Sequence, residues 1–145
     1  MRALILGLAL LVLAISGPTT ARADDPPAIL VIAHPDISAS TLPRNAVRAI
    51  FAMRQRSWPG GPAVRVFVLP DSNPVHDRFV KERLDVFPHQ LQLSWDRVVF
   101  SGTGQAPDQV ASQADMLNRV AATPGGIGYV EEGLEDDRVQ VIELD

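Results

Sequence analysis

The sequence predicts an α/β fold with a mixed, mostly parallel sheet flanked by helices. Three observations predict it. Short strand-like apolar runs occur at residues 28–33 (AILVIA), 64–69 (VRVFVL), 127–130 (IGYV) and 139–144 (VQVIEL). Stripes of apolar residues at helical spacing lie between most of them. Turn-forming clusters rich in Pro, Gly, Ser and Asn punctuate the boundaries. Strands alternating with helices imply layers of helix against sheet, here with four or five strands.

The first run is continuously apolar, as suits a strand buried on both faces, and His34-Pro35-Asp36 ends it. A helix is expected over 41–53, with Val47, Ile50 and Phe51 inward and Pro43 in its first turn. Trp58-Pro59-Gly60-Gly61-Pro62 turns into the second strand. Asn73 then suits an N-cap and Pro74 the first helical position. Val75, Phe79, Val80, Leu84 and Phe87 mark the helix behind them. A further helix after Pro88 carries Leu91, Trp95, Val98 and Val99, and a glycine-containing loop follows over 101–107. Ser112 with Asp115 resembles a capping box ahead of Leu117, Val120 and Ala121. The last run alternates, as a half-exposed strand does.

Residues 1–23 have the layout of a secretory signal peptide: Arg2, an apolar run over 3–15, then Ala21-Arg22-Ala23 as an A-x-A site. The run is shorter than the roughly 20 apolar residues of a spanning helix. Export to the periplasm or the extracellular space is therefore expected, leaving one domain over 24–145. The chain has no cysteine, which excludes a thioether-linked lipoprotein, disulfides and thiolate metal sites. Thirteen basic residues less Arg2 and Arg22 leave eleven, against seventeen acidic ones, a net charge of −6 with His neutral. An acidic chain of this kind is a poor partner for nucleic acid.

Several segments carry a family resemblance. Ile50-Phe51 followed by Trp58-Pro59-Gly60 resembles the IF-L-G … W segment of phosphate-binding proteins of ABC transporters. Residues 71–79 lie where that family has its R-S-D-G-S-G-T loop and following helix. Residues 123–131, TPGGIGYVE, closely resemble the family's TPGAIGYVE. The resemblance covers about residues 28 to 131 and implies a single lobe of a type-2 periplasmic-binding-protein-like fold. It also implies an oxyanion such as phosphate as ligand, held by helix N-terminal amides and an arginine. Here the matching positions depart from the family. Leu69 stands for its arginine, Asn73, Pro74 and Val75 for its Ser-Gly-Thr, and Met53 for the glycine of IF-L-G.

What remains as a candidate anion site is Ser72, Asn73, Val75, His76 and Arg78, with Gly102, Thr103 and Gly104 as a second donor loop. Against the family's pattern the arginine, a hydroxyl and the opposing lobe are missing, and three such contacts, each contributing about 1.5–3 kcal/mol, weaken capture by about three to six orders of magnitude. Weak oxyanion binding is one expectation. The other is a ligand-free interaction module that docks a membrane transporter, a porin or a sensor protein. An enzyme is not expected, because no nucleophile, acid–base pair or metal cluster stands out, and no cofactor is implied. His34, His76 and His89 lack metal-site spacing. Trp58 and Trp95 suit the core, Tyr129 a core position with its hydroxyl at the surface, and Glu131 to Asp137 a solvated acidic face.

Overall fold

The computed structural model describes residues 25–145, so the expected signal peptide lies outside the described residues. The strands are β1 (Ile29–Ala33), β2 (Thr41–Leu42), β3 (Arg65–Val68), β4 (Asp108–Gln109), β5 (Gly126–Glu131) and β6 (Gln140–Leu144). The helices are α1 (Arg44–Phe51), α2 (Pro74–Arg83), α3 (Pro88–Phe100) and α4 (Gln113–Ala122). The strands form one mixed sheet in the order β2-β6-β1-β5-β3-β4. Three of its five pairings are parallel, and β1 runs antiparallel to both neighbours, β5 and β6.

The four apolar runs become β1, β3, β5 and β6. The other two strands have only two residues each. Thr41–Leu42 was expected to be helical but pairs in parallel with Glu143–Leu144. As a result α1 starts only at Arg44, and Pro43 is its N-cap rather than part of its first turn. Asp108–Gln109 carries no apolar signal and is a strand because it adds to β3 beside Phe67 and Val68. The helix expected to reach Phe87 stops at Arg83. Asp85 then adopts φ +56°, a left-handed conformation that no helix continues through. Phe87 becomes the N-cap of α3, its N–H donating to Gln90 Oε1 at 2.8 Å.

Successive residues of β5 face opposite ways and so define the two layers. Gly128 faces α4, where an added Cβ would lie 2.4 Å from Met116 Sδ and 3.0 Å from Val120 Cγ2. Only a residue without a side chain lets helix and strand approach this closely. Tyr129 points to the other face, stacked on Phe79 of α2 with ring centroids 3.8 Å apart and tilted against Phe51 of α1 at 6.0 Å. Trp95 of α3 joins that layer, its Nε1 donating to Phe51 O at 2.7 Å. Trp58 is also buried, and its Nε1 donates to Gly125 O at 3.0 Å. Gly125 itself needs to be glycine: its φ is +77°, and a Cβ would sit 2.1 Å from Ala63 O.

Candidate functional site

In open α/β sheets, ligands sit beyond the carboxyl ends of the parallel strands. Here β3 and β5 end at the same edge, and the chain leaving β3 enters α2 through Pro70 to Asn73. Asn73 Oδ1 accepts from Val75 N–H at 2.9 Å, and Asn73 O accepts from His76 N–H at 3.0 Å. The two amides expected to face an anion are thus satisfied by Asn73, and Pro74 has no N–H. Ser72 is exposed beside them.

Arg78 does not turn back toward this helix start. Its Nη2 donates to Pro27 O at 2.7 Å and to Glu82 Oε2 at 3.2 Å, and its Nη1 lies 3.7 Å from Glu131 Oε2. Asp77 is paired with Lys81 at 2.9 Å, so neither Asp71 nor Asp77 is its partner. Glu131 was expected on a solvated face. It is half-buried at the end of β5 and also bound to Gln113 of α4, whose Nε2 donates to Glu131 Oε1 at 2.8 Å. The Glu131 N–H donates to Gln113 Oε1 at 2.7 Å. Carboxylates of the chain itself therefore engage the Arg78 guanidinium.

The loop of Gly102, Thr103 and Gly104 lies at the opposite end of β3. It leads into β4, which is parallel to β3, and Arg56 beside Val64 donates to Thr103 O. Gly102 N–H and Thr103 N–H donate to Val99 O and Val98 O, both at 3.1 Å, as a helix C-terminus does. Ser72, Asn73, Val75 and His76 come together, then, while Arg78 points away and Gly102 to Gly104 lie at the far end.

No family sequence model matches the chain, and no curated protein sequence is significantly similar to it. Solved structures are similar. One is a protein assigned as a phosphate ABC transporter substrate-binding protein, with bound phosphate, from Clostridium perfringens. It matches 82% of this chain and 45% of its own at 18% identity, with a TM-score of 0.67. PstS from Borrelia burgdorferi matches 82% of this chain and 47% of its own at 14% identity, with a TM-score of 0.64. An ABC-type phosphate transport receptor from Vibrio cholerae matches 81% of this chain and 46% of its own at 15% identity, TM-score 0.62. The chain has the fold of one phosphate-binding-protein lobe. It spans about half the length of the solved structures it matches, and those neighbours are binding proteins.

This lobe carries one buried polar network that its sequence did not announce. Tyr129 is fully buried, hydroxyl included, contrary to the expected surface hydroxyl. Its Oη accepts from Leu69 N–H at 2.8 Å and lies 2.5 Å from Nδ1 of the buried His76. The arrangement that satisfies every group has the hydroxyl donating to Nδ1, which leaves the ring proton on Nε2. That nitrogen lies 3.5 Å from Asp71 Oδ1. Burial pulls His76 below the ordinary imidazole value, against the opposing pull of Asp71 and Asp77. Burial likewise pushes the Tyr129 phenol up. The i, i+4 spacing of Ser72 and His76 gave no hint of a tyrosine partner, which lies in β5.

Proposed function

We propose that this chain is an exported interaction module: a binding-protein lobe that docks another protein and does not capture phosphate as a two-lobed transporter component does. The export part of this reading rests on the signal-peptide pattern of residues 1–23. The observation that carries the rest is the engagement of Arg78 by Glu82, Glu131 and Pro27 O. A dehydrated oxyanion needs charge-assisted donors with free valence. Here the guanidinium is already held by carboxylates, and the first free amides of α2 are held by Asn73. Asp71, exposed at the same edge, adds like charge against any anion. A membrane transporter, a porin or a sensor protein fits the role of partner.

Calorimetry with inorganic phosphate and sulfate tests the reading. The expected result is no binding heat and no rise in melting temperature at millimolar anion. Ligand at 100 times its dissociation constant stabilises a protein by about 2.7 kcal/mol, so even weak capture is readable. A submicromolar constant for either anion overturns the proposal.

A further inference from the structure

Among the described residues, five large apolar side chains stand exposed: Phe87, Leu93, Val99, Phe100 and Leu134. Four of the five belong to α3 or its N-cap. Leu93, Arg97 and Phe100 follow one another at spacings of four and three, so they share one outward stripe of that helix. Phe100 is 86% exposed, far beyond what solubility favours.

Beside this stripe, α1 and α3 enclose an open cleft of about 330 Å³. Leu91 and Ala52 form its apolar floor, Arg48, Arg54 and Arg97 line it, and no carboxylate does. Three arginines gather in it without a lining carboxylate, and, unlike Arg65, Arg78 and Arg138 elsewhere, Arg54 and Arg97 form no ion pair among the described residues. Arg48 donates its Nε to Leu84 O at 2.7 Å and keeps its charge unneutralised.

The fifth exposed apolar residue, Leu134, sits in the turn between β5 and β6, flanked by Glu132, Glu135, Asp136 and Asp137. Arg138 neutralises Asp136 at 2.9 Å, while Glu132 and Asp137 form no ion pair among the described residues. Cleft and segment are complementary in charge: a basic, apolar-floored groove and an acidic stretch that carries an exposed leucine. They cannot meet within one chain. The segment crosses from the edge where β5 ends to the opposite edge, where β6 begins, and Arg138 ties it to Asn118 of α4 at 2.9 Å, whereas the cleft lies in the α1–α3 layer beside Leu84 and Val86.

We propose that the α1–α3 cleft receives the Leu134 turn of a second copy of the chain, head to tail. This deepens, and rests on, the reading of the lobe as an interaction module. The contact is heterologous, so repetition produces short open chains unless the rotation closes a ring. Charge pairing across it sets register and discriminates against other surfaces.

Sedimentation of the purified protein at concentrations up to about 1 mM tests the proposal. The weight-average mass is expected to rise with concentration. The double variant Arg54→Glu, Arg97→Glu and the double variant Glu132→Arg, Asp137→Arg should each weaken association at least about tenfold. All four positions are exposed, so circular dichroism should show both variants folded. An equimolar mixture of the two should associate again, because the unaltered acidic turn of the first meets the unaltered basic cleft of the second, and the acidic cleft of the first meets the basic turn of the second. A wild type that stays monomeric throughout overturns the proposal. So does association that survives either reversal, or a mixture that stays monomeric. Phosphate capture, which would overturn the preceding reading, is scored in a separate titration that does not move this result.

Discussion

Tyr129 ties the backbone leaving β3 to the ring of His76 in α2, and its removal exposes what each bond is worth. In Tyr129→Phe the Leu69 N–H and His76 Nδ1 lose their shared partner inside the core. Leaving buried polar groups unpaired costs about 1–3 kcal/mol each, against a small packing change. Urea unfolding should show a loss of about 2 kcal/mol, and a loss near zero would mean that water substitutes for the hydroxyl. His76 adds a pH dependence. Its folded value lies below the unfolded 6.5, so the unfolded chain binds the proton first. Stability contributed by neutral His76 is complete above pH 6.5. It falls as pH drops below that value and levels off once the folded ring also protonates. Unfolding free energies measured from pH 7.5 down to 5 should show this decline, and His76→Gln should flatten it.

Helix α2 shows where elements were legible and where they were not. Its start was readable because Asn73 and Pro74 act locally: the cap bond reaches two residues ahead. Its end was not. Leu84 and Phe87 keep helical spacing, yet Asp85 turns left-handed and sends Phe87 outward. No stop residue marks that turn, because glycine is absent from it. The cost of a non-glycine residue there is about 1–2 kcal/mol, less for Asp, and glycine's extra unfolded entropy takes back part of any gain. Asp85→Gly should therefore raise stability by about 0.5 kcal/mol, while the β-branched Asp85→Val should lower it by more than about 1 kcal/mol. Thermal melts of the two variants moving in the same direction would contradict that account. The strands were legible because apolar runs of four to six residues need no partner to be noticed. The two-residue strands β2 and β4 exist only through their neighbours. The fate of Arg78 had the same origin: its partners Pro27 and Glu131 are distant in sequence and meet only where β1 lies beside β5.

At the scale of the molecule, a single lobe offers one wall of a crevice, and here that wall is closed by its own ion pairs. The sheet also joins the two ends of the described chain. β1 lies near the start of the described chain, yet its two neighbours, β5 and β6, are the last two strands in sequence. The long loop closure this requires is entropically unfavourable, and such pairings slow folding. β6 touches the sheet only through β1, and β2 only through β6. Until that closure is made the fully apolar β1 segment is without partners that lie about a hundred residues away, a period of exposure in which it is open to aggregation or to capture by a chaperone.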